Sequence, residues 1–186
     1  MRLLHEALAD TTIPFVFTRE PGGTPLGEKI RELLIDPLGQ MSRETESLLL
    51  SASRAELVDK VIEPALQEGR LVVCDRFWDA TIAYQGYGRG LPIESLMSIT
   101  MYAARRLSPD LTFLLDVPLE VSRRRLRGRS ADRLEGEAGA FFERVAEGYH
   151  RLAAAEPQRF IVLDGTEPQE TLAVQIRTAV LSRWHG

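Results

Sequence analysis

An acid and an arginine, Asp75 and Arg76, follow directly on the apolar or small residues Leu71–Cys74. That run is short and β-branched, so it reads as a buried strand, and Gly69 ends the helix before it. In a parallel α/β sheet, ligands sit beyond the carboxyl ends of the strands. Placed there, Asp75 can hold a metal or a proton, and Arg76 can fork onto phosphate. The same two residues also suit an ion pair at a solvated turn, and their types alone do not separate the readings. Three other strand ends carry polar groups. Ile13–Phe17 runs into Thr18 and Arg19, Leu111–Leu115 ends in Asp116, and Phe160–Leu163 ends in Asp164. Four such ends on one edge of a sheet imply an anion-handling crevice.

The basic residues are unusual in kind, because Lys29 and Lys60 are the only lysines and the rest are arginine. Arg123, Arg124, Arg125, Arg127, Arg129 and Arg133 form the densest run. It is either a solvated helix face or, from Gly128 to Arg133, a mobile loop between helices. Arginine suits phosphoryl transfer because it neutralises charge spread over the equatorial oxygens. Arg54 sits within a helix, where composition favours a solvated side chain. Tyr84, at helical spacing from Thr81, is core or pocket. His5, His150 and His185 follow no ligand spacing, which argues against a zinc site.

The elements that must position these residues alternate in type. Arg2–Ala9 is a helix. After the strand Ile13–Phe17, Pro21-Gly22-Gly23 makes a turn. Thr24 then caps a helix with Pro25 at its first position, and Asp36-Pro37 stops it after Ile35. Ser42 caps a long helix with Glu44 and Glu46 favouring its dipole. Its apolar face is Leu48, Leu49, Ala52, Ala55, Val58, Ile62 and Ala65, and Pro64 kinks its last turns. Further helices are predicted near Thr81–Gln85, from Pro92 to Leu107, after Pro118, and over Ala138–Ala155. Thr166 and Gln169 make a capping box for the closing helix. Strand–helix alternation throughout means a parallel sheet covered on both faces.

The 186 residues suit one domain. Hydrophobic residues at 44% exclude a disordered chain, and no apolar run approaches membrane-spanning length. Cys74 is the only cysteine, so no intramolecular disulfide forms, and its apolar strand predicts a buried inert thiol in a cytoplasmic protein. A net charge of −4 argues against a general nucleic-acid binder, and no nucleic-acid or membrane partner is expected.

Larger segments carry a resemblance. Asp75–Gly90, DRFWDATIAYQGYGRG, resembles the DR(Y/H)…AYQG.GRG segment of bacterial thymidylate kinases. Thr18–Gly23 (TREPGG), the SPDLTFLLDVP run, the RGRSADR segment and the tail FIVLDGTEP agree with it, in order. The resemblance spans essentially the whole chain. It implies the P-loop fold of nucleoside monophosphate kinases, with ATP phosphorylating dTMP to dTDP in the presence of Mg2+. It implies that Arg19, Glu20, Leu50, Arg54, Thr81, Tyr84 and Gln85 form the acceptor site. Arg54, Arg19 and Arg76 would hold the acceptor phosphate, with Thr81 near the base and Tyr84 beside the sugar. Asp75 would position the metal–water shell or the acceptor oxygen. Residues 123–134 resemble a lid, whose Arg129 and Arg133 would stabilise transferred charge. Leu50 stands where the family has a stacking phenylalanine, and it packs on a base without an aromatic face. Asp79-Ala80-Thr81 has one hydroxyl fewer than the family's Ser-Thr. A homodimer is implied through helices.

One part of the family pattern does not occur in residues 1–186, the phosphate cradle G-x-x-x-x-G-K-[ST]. Its nearest approach runs from Gly22 to Lys29, where Glu28 takes the lysine position and Ile30 cannot ligate magnesium. In the family the cradle precedes TREPGG, so the expectation is a chain that lacks the central first strand and P-loop, about 20 residues. A start-site error, a truncated chain and a relic without catalysis would each account for it, the first best. Without that strand, the strands Leu71–Cys74 and Leu111–Leu115 either leave a gap or pair directly. A nucleotide-binding relic and a kinase for another nucleotide are the alternative functions. The expected consequence is no measurable dTMP-dependent ADP release from residues 1–186 alone. Robust turnover in a coupled assay would place the donor site among residues assigned otherwise here.

Overall fold

Each predicted strand forms, and each extends to the polar end of its apolar run. The computed structural model describes residues 2–126, 133, 137 and 139–184. After helix α1 (Arg2–Ala9), strand β1 covers Phe15–Arg19 and β2 covers Leu71–Asp75. Strands β3 (Thr112–Asp116) and β4 (Phe160–Asp164) follow later in the chain. β1 pairs with β2 in parallel, with Arg19 opposite Asp75. β3 pairs with β4 in parallel, with Asp116 opposite Asp164. The single sheet expected from the alternation is instead two two-stranded sheets, because β2 and β3 do not pair among the described residues. A two-stranded sheet cannot cover both its faces and its edges. Accordingly Leu115 remains 46% exposed and Val162 52% exposed.

The helices follow local signals closely in the first half. α2 (Pro25–Ile35) begins at Thr24, whose hydroxyl accepts from the Gly27 N–H at 2.9 Å. α3 (Arg43–Leu57) begins at Ser42, which accepts from the Thr45 N–H. It continues through a π-helical segment, Val58–Ile62, into α4 (Glu63–Gln67). Thus the widened turn lies just before Pro64: the ring removes an N–H and crowds the preceding turn. α5 (Trp78–Thr81) likewise runs into a π-helical segment, Ile82–Gly88, where the sequence predicts a helix near Thr81–Gln85 and then a glycine-rich turn. Then come α6 (Ile93–Ala103), α7 (Leu119–Leu126), α8 (Gly139–Ala155) and α9 (Gln169–Trp184). The predicted capping box at Thr166 is not formed. Thr166 instead donates through both N–H and hydroxyl to Asp164 Oδ1, closing a turn before the helix.

The predicted apolar face is buried at Val58, Ile62 and Ala65, beyond the end of α3, but not within α3 itself. Leu48, Ala52 and Ala55 are exposed, while Glu46, Ser47, Ser51, Ser53 and Arg54 are buried beside Leu57. The apolar pattern fails here because the helix turns its polar groups toward partners inside the molecule. Leu57, Val58 and Ile62 form one apolar cluster, and Trp78, Ile82, Leu91, Leu96 and Ala104 form another. α8 packs directly on the Ile82–Gly88 segment, and Gly88 permits it. A Cβ there would sit 2.7 Å from the Phe141 ring.

A buried ion pair ties α5 to the start of β4. Arg159, just before β4, forks onto Asp79 with bonds of 2.6 and 2.9 Å. Its guanidinium lies between the rings of Trp78 and Phe160, at 4.6 and 4.5 Å. Removing one partner of such a pair strands the other charge in the interior. Asp79→Ala should therefore lower the unfolding free energy by about 3–5 kcal/mol, read from urea denaturation. Replacing both partners, Asp79→Leu with Arg159→Met, should recover most of the loss. A double variant as weak as the single one would contradict this.

Candidate functional site

The loop after β1 turns Glu20 inward and Arg19 outward. The Glu20 N–H donates to the Asp75 carbonyl at 3.0 Å, so the loop stays against the end of β2. Gly22 donates its N–H to Ser53 Oγ at 3.1 Å, and Gly23, at φ +78°, takes a backbone conformation that L side chains rarely adopt. The Gly23 N–H donates to Glu28 Oε1 at 2.8 Å, and Arg19 donates to Glu28 Oε2 at 2.8 Å. Those hydrogen bonds, Arg19 first, hold the Glu28 carboxyl below its ordinary value. The near-P-loop at Gly22–Lys29 is thus a glycine turn closed on its own carboxylate. Arg31 braces it by donating to the Pro21 carbonyl at 3.1 Å.

Arg54 is 1% exposed and forms an ion pair with Glu20 at 2.6 Å. It also donates to Thr81 Oγ1 at 2.7 Å and to Thr100 Oγ1 at 3.5 Å. One helix, one loop and two further helices therefore meet on a single guanidinium. Burial pushes the Glu20 carboxyl above its ordinary value, against the pull of the Arg54 charge. Three hydrogen-bonding atoms of this cluster stay buried without a hydrogen-bond partner, Arg54 Nε and both Glu20 oxygens, of which Oε1 meets Arg54 only as an ion pair.

Glu46, also 1% exposed, is the second hub. Its Oε1 accepts from Gln85 Nε2 at 2.8 Å and from Arg89 Nε at 3.3 Å. Its Oε2 accepts from Arg89 Nη2 at 3.2 Å and lies 2.6 Å from Arg133 Nη2. Arg89 rests on the Phe141 ring and also binds Glu137. Burial alone would raise the Glu46 carboxyl, but the hydrogen bonds from Gln85, Arg89 and Arg133 outweigh it and hold the group below its ordinary value. Gln85 is itself buried, and its Oε1 has no hydrogen-bond partner.

The remaining predicted site residues fall around these hubs. Leu50 is half-buried on α3 and Thr81 is buried against Arg54. Tyr84 is half-buried in a ring cluster with Phe141 and Tyr149. Arg76, at φ +65°, places its guanidinium 5.1 Å from the Tyr84 ring. Asp75 is exposed and lines a cavity of about 780 Å³ with Thr18, Arg19, Gly23, Glu6 and His5. The four polar strand ends are brought together two by two, Arg19 with Asp75 and Asp116 with Asp164. Asp116 is bound by His150 at 3.2 Å. Arg133 is engaged by Glu46 and by the Leu34 carbonyl, at 3.0 Å from the latter. Arg129 and most of the lid segment lie outside the described residues. The Cys74 thiol donates to the Arg76 carbonyl at 2.9 Å, and burial pushes its pKa well up, which leaves it the inert thiol expected.

Comparison with known proteins decides the family. The family model for thymidylate kinase matches residues 1–176. The chain belongs to the thymidylate kinase family. That family has the P-loop nucleoside monophosphate kinase type of α/β fold, and its members are transferases. A thymidylate kinase of Symbiobacterium thermophilum is 46% identical over 181 residues, covering 97% of this chain and 85% of that protein. One of Methylobacillus flagellatus is 49% identical over 162 residues, covering 87% and 79%. One of Deinococcus radiodurans is 48% identical over 169 residues, covering 90% and 82%.

Within this thymidylate kinase-family chain, the sequence reading missed Glu46 and Glu28. In the sequence Glu46 reads as a dipole-favouring acid of the first helical turn. Its signal was the spacing Glu46–Ser47–Ser51–Arg54, a polar stripe where a core stripe should lie. A depressed carboxyl contributes stability above its unfolded value, 4.5 for glutamate, and loses it as pH falls through the folded value. The stability gap between the native protein and Glu46→Gln should thus be wide at pH 7 and shrink below about pH 4. Urea unfolding across pH 3–7 measures it, and a gap independent of pH would contradict an ionised Glu46.

Proposed function

We propose that the chain phosphorylates dTMP to dTDP with ATP as donor and that the residues around Arg54 and Gln85 hold the acceptor. The observation that carries this reading is a pair of buried atoms without hydrogen-bond partners, Arg54 Nε and Gln85 Oε1. One is a donor and the other an acceptor. The edge of thymine offers the complement, an acceptor at O4 and a donor at N3–H. Cytosine offers the reverse at both positions. Unmade hydrogen bonds in a buried site are costly, so a base of the wrong polarity is rejected strongly. Arg54 suits the base better than the phosphate, contrary to the sequence-based expectation, because its pair with Glu20 is buried and cannot open to solvent, whereas the exposed Arg19–Glu28 pair can exchange its carboxylate for a phosphate. Leu50 supplies apolar contact to the ring.

Arg19 and Arg76 are the cations we assign to the acceptor phosphate. Both are exposed, and both flank Asp75 at the end of the β1–β2 sheet. Tyr84, beside Arg76, stands next to the sugar in this reading. Asp75 and the unpartnered hydroxyl of Thr18 make an oxygen donor set beside the cavity. One carboxylate with waters and nucleotide phosphates is the way Mg2+ is usually held. When bound, that ion neutralises charge on the phosphate oxygens. Asp75 would orient its water shell, and the arginines would hold the acceptor in line. Arg129 of the lid segment would stabilise charge on the transferred group, whereas Arg133, expected to share that role, is taken up by Glu46 and the Leu34 carbonyl.

A second copy of the chain is the partner we propose. Leu48, Ala52 and Ala55 form an exposed stripe on α3, and Leu33, Ile99 and the 88%-exposed Tyr102 leave further apolar surface on α2 and α6. Among the described residues no helix is long and apolar enough to cross a membrane. The nucleotide substrates and the lone thiol suit a cytoplasmic setting.

Calorimetric titration with dTMP tests the acceptor site. Arg54→Ala and Arg76→Ala should each weaken binding by about 1.5–3 kcal/mol, the worth of a charge-assisted contact. Leu50→Phe should tighten it by about 0.5–1.5 kcal/mol through ring stacking. Unchanged affinity in both arginine variants would reject the assignment.

A further inference from the structure

The amide of Gln85 can face its surroundings in two ways that differ only in which end is the donor. In one orientation the NH2 points to Glu46 and the oxygen to the site. In the other the polarity presented to the site is reversed. Glu46 removes that freedom. An ionised carboxylate only accepts, so it admits the NH2 of Gln85 and repels its oxygen.

Three hydrogen bonds and one ion pair fix Glu46 itself, two contacts on each oxygen. Gln85 and Arg89 Nε occupy Oε1, and Arg89 Nη2 and Arg133 Nη2 occupy Oε2. The forked Arg89 holds the carboxylate plane, and Arg89 is in turn held by Glu137 and the face of Phe141. The carboxylate can neither rotate nor take up a second role. Gln85 Oε1 is then left buried with no hydrogen-bond partner. We propose that Glu46 is a positioning residue that sets base selectivity by locking the Gln85 amide with its oxygen toward the nucleobase. The site thereby accepts pyrimidines carrying an N3–H and excludes those whose N3 is an acceptor. The inference rests on the reading of Gln85 as a base-contacting residue.

The test is equilibrium titration of the full chain with dTMP and dCMP. Three proteins are compared: the native chain, Glu46→Gln and Glu46→Asp. Glutamine keeps the shape of Glu46 but can donate or accept, so Gln85 can turn over. Aspartate keeps the charge and the arginines but is too short to reach Gln85 as well. The native chain should prefer dTMP. In either variant that preference should narrow by at least about tenfold, with dCMP binding becoming tighter in absolute terms. A merely structural role would weaken both nucleotides together and create no gain for dCMP. Thermal melting confirms which variants are folded, and either one alone suffices for the comparison. A native preference retained in full by a folded variant, or lost with equal weakening of both nucleotides, overturns the role of Glu46 and leaves the base-reading role of Gln85 intact. No preference in the native chain overturns that role, and with it the present inference.

Discussion

The Arg54–Glu20 pair is the interaction on which the acceptor site depends. Both side chains are almost wholly removed from water. Two charges in that position are costly unless geometry and extra hydrogen bonds compensate. The compensation comes from Thr81 and Thr100, which lie on different helices. To satisfy one guanidinium, the chain must therefore bring the β1 loop, α3, α5 and α6 to the same point. It also explains why α3 buries its serines and leaves Leu48 in solvent. The helix is rotated by its charge, not by its apolar residues.

Glu46 repeats the device one end of the helix away. It gathers Gln85 from the π-helical segment, Arg89 from the glycine-rich turn, and Arg133 from the segment after α7. The two hubs, both on α3, hold one stretch of chain, Thr81–Gln85, at its two ends. That stretch is wound as a π-helix over Ile82–Gly88, the geometry in which an extra residue is carried per turn. A rigid stretch held at both ends presents fixed polar atoms to a ligand. The Gly23–Glu28 closure holds the neighbouring loop in the same way, with a carboxylate against a backbone N–H.

Much of the fold was legible because it rests on local chemistry. Thr24-Pro25 and Ser42 start helices by satisfying orphan N–H groups, and those signals lie within a few residues. The strands were legible from short β-branched runs, and their polar ends from the Asp and Arg that close them. The division into two sheets is one of the two outcomes expected for the strands at Leu71–Cys74 and Leu111–Leu115. Two features were not legible. The π-helical segments have no sequence period of their own. The buried face of α3 depends on Glu20 and Gln85, distant in sequence, so its polar stripe looked like a solvated surface. Arg54, Thr81 and Gln85 entered the candidate site through resemblance, whereas Glu46 carried no motif and emerged only from its contacts. Asp79 and Arg159, 80 residues apart, were invisible for the same reason.

A crystal structure of the chain with dTMP tests the central claim most directly. The account predicts the pyrimidine O4 within hydrogen-bond distance of Arg54 Nε and N3–H within that distance of Gln85 Oε1. It also predicts the Arg54–Glu20 pair intact and the phosphate on Arg19 and Arg76. A base bound away from Arg54 and Gln85, or a phosphate seated on Arg54 with Glu20 displaced, would contradict it.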